Sequence, residues 1–446
     1  MTDDLAMTLA AGLDLLAALD LQDLVPLFWF MIVLELPRYF AGALVFLGGS
    51  LRQRGLLQYR DSSAEDPGQP PLERRKFSVI IAGHNEAKAL PTCIHSMLDQ
   101  TVMRDTVLDT RRCQIVVVDD GSSDNTAEVI ADLERRGLID TGLSLELRGG
   151  KSAATNLALG YCRHDIIIVV DADTTFDRDA FERMIAHFDD PRVGAVGGSL
   201  FARNAQYSLT TLYQDMEYRI SISLGRRISA MMGILGIISG AFGAFRRSAV
   251  DQVGGFDVEV GEDADLTMKL RAAGWKLVFE PRARAGTDVP TNVIGLIRQR
   301  LRWDRSVITV WLRKYKQMLN PFHANFDLAN ALVIWDVVFM QVLIAGGFFV
   351  YLGWLIFTFG WFAFVLLLAT LVVYMALAAM MLLIAGLADN DDEVLHRFLF
   401  LPYYVLFACF VMRAVRVYSA IDEWVLRSSY HDTYVPRRVM RQVEDY

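Results

Sequence analysis

The sequence predicts a two-part chain: an α/β domain on a mostly parallel central sheet, joined to α-helical transmembrane segments and helices that lie at the membrane interface. Three observations carry that prediction. Short β-branched apolar runs alternate with helix-like stretches between residues 77 and 170, and apolar runs of membrane length flank this region. The 446 residues are also 53% hydrophobic, with a mean hydropathy of +0.29, more apolar than a purely soluble chain of this length.

The net charge of −8 argues against nucleic acid as a partner, because a phosphate-tracking surface needs a basic excess or stripe. Cys93, Cys113, Cys162 and Cys409 are scattered without CxxC spacing, so neither a zinc site nor a disulfide framework is indicated, and a reducing compartment fits. The N-terminus lacks the basic start and small-residue cleavage site of a secretory signal, so the first apolar stretch is expected to persist as an anchor.

Residues 1–60 form an N-terminal segment with a transmembrane helix over about 24–48, since roughly 20 apolar residues cross the hydrocarbon core. Asp14, Asp20 and Asp23 precede it, while Arg52, Arg54, Arg60, Arg74, Arg75 and Lys76 follow, which places the next domain in the cytoplasm. Glu35, Pro37 and Arg38 interrupt the helix. They read as a paired charge in a kinked span, or as the lining of a polar conduit. Residues 61–76, rich in Ser, Gly and Pro, read as a linker.

The α/β domain is expected over 77–320, with strands at 77–82, 114–118 and 166–170 and helices around 87–99, 124–136 and 152–163. Interfacial helices are expected over about 206–236 and 290–316. Residues 327–418 hold about three apolar segments, the first two separated by a tight turn and the third following the acidic loop Asp389–Glu393, and 419–446 form a polar tail. One span before the domain and three after put the C-terminus outside. Arg427, Arg437, Arg438 and Arg441 argue for inside, and a segment lying in the interface would reconcile the two.

Chemistry concentrates at the strand ends. The first strand runs into Asn85-Glu86, and the second into Asp119-Asp120-Gly121-Ser122. A carboxylate there can accept hydrogen bonds from a nucleobase or ribose, although Asp-Asp-Gly-Ser is also a good turn and helix cap. Asp171-Ala172-Asp173 ends five aliphatic residues, and two carboxylates at i,i+2 can reach one divalent ion while leaving positions for diphosphate oxygens. Glu262-Asp263 opens a helix-like stretch, where the dipole favours an anion able to take a proton from a sugar hydroxyl; it is equally an ordinary acidic first turn. In Gln299-Arg300-Leu301-Arg302-Trp303, Gln299 and Arg302 share a helix face. The Arg fork suits phosphate and the indole suits a sugar ring, while Arg298, Arg300, Arg305, Arg313 and Lys314 read as lipid-headgroup contacts.

In this order the series DDGS, GK with a downstream Asn, DxD, ED and QxxRW resembles the processive family-2 membrane glycosyltransferases: cellulose, chitin, hyaluronan and poly-N-acetylglucosamine synthases. The resemblance runs from about Phe77 to Lys316. It implies a GT-A, Rossmann-like cytosolic domain. By position it implies donor and nucleotide binding by Asn85, Glu86, Asp119, Asp120, Lys151, Asp171, Gln299 and Arg302, with Asn156 on the same side, and Mg²⁺ or Mn²⁺ held by Asp173 with Asp171. Asp263 would be the catalytic base beside Glu262, and Trp303, Ser239, Gly240 and Phe242 would line the acceptor site. Ser239-Gly240-Ala241 departs from the cysteine and SGP versions of that segment in relatives of known acceptor.

The resemblance further implies an inverting, metal-dependent hexosyltransferase of the bacterial inner membrane, its catalytic domain in the cytoplasm. A UDP-sugar, UDP-glucose or UDP-N-acetylglucosamine, would elongate a β-linked polysaccharide that leaves through the membrane helices. The alternative is a non-processive enzyme that glycosylates a membrane lipid. Implied partners are the donor, the growing polysaccharide or lipid acceptor and the bilayer, with room for accessory secretion or regulatory subunits and a homo-oligomer.

Overall fold

The computed structural model of the chain describes residues 18, 20–60, 75–104, 112–258, 261–323, 326–389, 391 and 393–431. Of the expected linker, only Arg75 and Lys76 are among them, and Arg437, Arg438 and Arg441 lie outside them. Arg75 is buried, donating to the Ile185 carbonyl and pairing with Asp189, so the domain begins before its first strand.

Eight strands form one sheet: β1 (Phe77–Gly83), β2 (Cys113–Asp119), β3 (Thr141–Ser144), β4 (Ile166–Val170), β5 (Thr175–Phe176), β6 (Val193–Ala202), β7 (Phe242–Arg246) and β8 (Lys276–Thr287). The order is β3-β2-β1-β4-β7-β6-β8-β5. The pairs β3-β2, β2-β1, β1-β4 and β6-β8 are parallel, while β7 runs antiparallel between β4 and β6, and β5 antiparallel to β8. Every residue of β2 and β4 is buried, as strands covered on both faces require. Alternate side chains feed two cores. Val79, Ile81, Ile115 and Val117 pack beneath helix Leu90–Leu98, and Ile80, Val116, Val118 and Ile167 beneath helix Lys151–Tyr161.

The register pairs Gly83 with Asp119 and Ile81 with Val170, so the carboxyl ends of β1, β2 and β4 line up along one edge of the sheet. That alignment collects the motifs on a single rim.

The stretch expected as the first interfacial region folds as helix Leu209–Glu217, a π-helical stretch Tyr218–Leu224 and helix Gly225–Met231. The second consists of helix Val293–Ser306 and its π-helical continuation Val307–Lys314. Among the described residues four helices are long and apolar enough to cross a membrane: Phe30–Ser50, Leu328–Phe359, Phe362–Asp389 and Leu401–Leu426. The second and third meet at Gly360, whose φ of +55° makes the tight turn. The last continues to Leu426, so the expected polar tail from 419 begins later; its first residues are helical because Asp422 and Glu423 find cationic partners on the second interfacial region.

Several charges near these helices are paired. Glu35 accepts from Tyr374 Oη at 2.8 Å and from Arg413 at 2.9 Å, whereas Arg38 forks onto Asp336 at 3.2 and 3.3 Å. The expected Glu35–Arg38 pair is thus replaced by two longer-range pairs. Asp215 and Asp391 each accept from both Arg219 and Arg397, at 2.6 to 3.2 Å, and close a four-membered ionic ring between the first interfacial helix and the loop after Asp389. Arg300, Arg305, Arg313 and Lys314, read from sequence as headgroup contacts, are likewise engaged internally, with Glu217, Asp422, Glu423 and Asp265 in turn. Only Arg298 of that set stays exposed without an ion-pair partner among the described residues.

Candidate active site

The centre of the site is an ammonium group. Lys151, the first residue of its helix, is ion-paired with Asp171, lies 3.9 Å from Glu262 Oε1 and donates to the Gly240 carbonyl at 3.4 Å. One side chain therefore joins the end of β4, the loop before β7 and the start of helix Glu262–Ala272. Gly240 N–H donates to Asp263 Oδ2 at 3.3 Å, and Asp263 Oδ1 accepts from Ala264 N–H at 2.8 Å, which holds the carboxylate at its own helix N-terminus. A Cβ on Gly240 would stand 3.1 Å from Lys151 Nζ, so the residue is small where three motifs close in.

Asp173 receives Thr174 Oγ1 at 3.3 Å and Thr287 Oγ1 at 3.4 Å. Burial and then the neighbouring Asp171 push its carboxyl above the usual range. Glu86 lies close to this cluster. It flanks Gly83 opposite Ala172, and burial, then Asp173 and Asp171, push it up to about 7. Glu262 is also raised, mainly by burial, against the pull of Lys151. Repelling carboxylates at one strand end fit a divalent cation. No group of three or more His, Cys, Asp or Glu residues able to hold one occurs among the described residues, so such an ion would draw its remaining ligands from substrate and water.

Asp119 and Asp120 are buried, and both carboxylates serve the backbone. Asp119 accepts from Ser122 N–H at 3.0 Å, while Asp120 accepts from Gly149 and Gly150 N–H at 2.6 to 3.2 Å. Gly121, at φ +64°, would place a Cβ 2.6 Å from Arg148 N, so this turn can take no side chain. Asn85 sits at φ +62°, and its Oδ1 accepts from Ser123 N–H at 2.8 Å. Asn85, Asp119 and Asp120 shape the rim as turn-builders. Asn156, expected on the nucleotide side, instead pins Phe256 through both backbone groups at 2.7 and 3.0 Å.

Phe242, expected to line the acceptor site, does not reach it. It is fully buried in β7, with its ring 5.0 Å from Phe176 and 6.0 Å from Phe181, because alternation along the strand points it into the core and away from any acceptor. Ser239 is buried and its hydroxyl accepts from Ala241 N–H at 3.3 Å, leaving Gly240 as the member of that segment at the site.

Gln299, Arg302 and Trp303 ride on helix Val293–Ser306, which the ED helix touches directly. Gly261, at φ +92°, would put a Cβ 2.6 Å from Ser306 Cβ, and Ser306 Oγ donates to the Trp303 carbonyl at 2.6 Å. Trp303 is 39% exposed. Its other face is covered by Arg300, 4.2 Å from the ring centroid, which also donates to Gln299 Oε1 at 2.6 Å and to Glu217 at 2.5 Å. Nothing in the sequence marks Glu217 and Arg300 as a site pair, since they stand 83 positions apart. Nothing in the sequence marks Arg226 either. It lies on helix Gly225–Met231 with Nη1 buried and unpartnered among the described residues; burial lowers its pKa, against the opposing pull of Asp263.

Residues 78–254 match the family model described as glycosyl transferase family 2. Among curated relatives, the poly-beta-1,6-N-acetyl-D-glucosamine synthase of Staphylococcus epidermidis is 32% identical over 241 residues, covering 54% of this chain and 56% of the relative. The Staphylococcus aureus (strain COL) protein of the same name is 32% identical over 245 residues, covering 54% and 57%. The chain thus spans a little over half the length of the curated relatives it matches. A solved mannosyltransferase from Pyrobaculum calidifontis, in complex with GDP-Man and Mn²⁺, shares the fold at a TM-score of 0.50 and 19% identity, over 85% of this chain and 97% of its own. The sheet domain is a family 2 glycosyltransferase domain of GT-A architecture, carried beside helices of membrane-spanning length.

Proposed function

We propose that this family 2 glycosyltransferase domain transfers a sugar from a UDP-sugar to the hydroxyl end of a growing β-linked polysaccharide, with inversion at the anomeric carbon. The convergence of Lys151, Asp171, Gly240 and Asp263 carries the proposal, because it brings a donor-side cation and an acceptor-side base to one rim. UDP-N-acetylglucosamine is the first donor to test, ahead of UDP-glucose, since the matching relatives are named for poly-N-acetylglucosamine.

In this reading Asp263 takes the proton of the acceptor hydroxyl as its oxygen bonds to the anomeric carbon, and the bond from that carbon to the diphosphate oxygen breaks to release UDP. Asp171 and Asp173 would hold Mg²⁺ or Mn²⁺, which would supply positive charge against the leaving diphosphate. Lys151 releases Asp171 to the donor complex and stays near the phosphates, joined by Arg302 from its helix. Gln299 and Trp303 receive the acceptor end, and Asn85, Asp119 and Asp120 keep the nucleotide-side turns in place. The catalytic domain faces the cytoplasm of a bacterial inner membrane, and the product leaves along the membrane helices, with accessory subunits or a second copy completing the path. Exposed polar chains need such a route because unpaired hydroxyls in hydrocarbon are costly.

Purified full-length chain incubated with radiolabelled UDP-N-acetylglucosamine or UDP-glucose and Mg²⁺ or Mn²⁺ should yield high-mass, precipitable label. Label extractable into organic solvent would replace the polymer with a glycolipid product. Asp263→Asn should lower turnover by about 10²–10⁴-fold while leaving UDP binding intact, and full turnover in that variant would overturn the assignment of the base.

A further inference from the structure

We propose that helix Leu401–Leu426 does not cross the membrane but lies within the leaflet on the catalytic-domain side, presenting an apolar stripe to lipid. By length and composition it could span, since 26 residues reach about 39 Å. Its contacts say otherwise, because both ends are fastened to the same glycosyltransferase domain. At the start, Arg397 just upstream binds Asp215 at 2.6 Å, and Tyr404 and Phe407 pack on Tyr213 with centroids 5.3 and 4.7 Å apart. Near the end, Ser419 Oγ donates to the Leu301 carbonyl at 3.2 Å, Asp422 binds Arg305 at 3.0 Å, and Glu423 binds Arg313 at 2.5 Å.

The middle of the helix reaches furthest into the bundle. Phe410 lies 5.7 Å from Phe348, and Arg413 lies over the same ring at 4.3 Å. Phe348 is eleven residues inside Phe359, the far end of its own span, which leaves about 16 Å of bilayer beyond the point of contact. A crossing helix is deepest at one end; this one is deepest at its centre.

Side-chain chemistry divides in the same way. Ser419, Asp422 and Glu423 face the interfacial helix, while Tyr418, Ile421, Trp424 and Val425 are 58 to 68% exposed and continue the lipid-facing surface. Such a face, with its aromatic pair, fits the boundary between headgroups and acyl chains. Three of the four candidate spans among the described residues then cross, and Leu426 and Arg427 share a side with the catalytic domain. This agrees with the basic residues that follow, beginning at Arg427. The inference does not depend on which sugar or acceptor the enzyme uses.

The native cysteines Cys93, Cys113, Cys162 and Cys409 are all buried, so single introduced thiols report sidedness. Full-length variants Arg427→Cys, Arg135→Cys in the catalytic domain and Trp361→Cys at the Gly360 turn are labelled with a membrane-impermeant maleimide, in sealed vesicles of each orientation. Arg427→Cys should label in the orientation that labels Arg135→Cys and be protected in the one that labels Trp361→Cys. Labelling together with Trp361→Cys would overturn the inference. Same-side labelling of all three would do so as well, since there would then be no crossing bundle for the helix to lie beneath.

Discussion

Phe242 and Trp303 mark opposite outcomes for single aromatic residues. Phe242 stands three residues after Ser239 in a segment that resembles an acceptor wall, yet its ring packs with Phe176 and Phe181 in the core. Phe242→Leu should therefore lower stability by about 1–2 kcal/mol and leave the acceptor KM unchanged; a raised KM at unchanged melting temperature would restore the acceptor role. Sequence could name the segment but not the side of the strand, because the alternation that decides it is counted from a β7 start the sequence does not mark. Asp304 gives a pH signature. Burial pushes its carboxyl from 3.8 up to about 6 despite Arg416 and Arg300 nearby. A pKa raised by folding adds stability that is full below the unfolded value and lost as pH climbs through the folded one. Asp304→Asn should consequently melt above the parent at pH 7.5, with the gap closing below about pH 4. An equal gap at both pH values would contradict this.

Elements were legible in proportion to how far their own residues specify them. β1, β2 and β4 are continuous β-branched runs and fall within a residue or two of their expected limits. β6 contains Gly194, Gly197 and Gly198, and β8 carries Lys276, Glu280, Arg282 and Arg284, so both are strands by virtue of their neighbours. Membrane helices announce themselves by hydropathy, but hydropathy has no direction, and the ionic ring that ties the loop after Asp389 to Asp215 joins residues more than 170 positions apart. Because Asp215 and Arg397 are 2% and 8% exposed, breaking the ring leaves a buried charge unpaired. Asp215→Asn and Arg397→Gln should each lower the melting temperature, by about 3 kcal/mol of stability. The double variant should lose about 1–3 kcal/mol less than the sum, and strict additivity would show that the ring does not act as a unit.

At the scale of the molecule, the interfacial helices belong to two cores at once. Tyr213, Met216 and Leu296 share a hydrophobic cluster with Phe348 and Leu366 of the spans, while neighbouring residues on the same helices hold Trp303 and Gln299. Thermal inactivation of transfer and the loss of native tryptophan fluorescence should coincide in one transition in detergent; two separated transitions would mean that the domain and the bundle fold apart. Helix Val293–Ser306 has a further consequence. A bilayer thicker or thinner than the spans tilts or shifts them at a modest cost per ångström, and that displacement reaches the indole through Leu296 and Leu301 on the same rigid rod. Under the proposed function acyl-chain length becomes a kinetic variable: bilayer thickness would set the distance between Trp303 and the rim that carries Asp171 and Asp263.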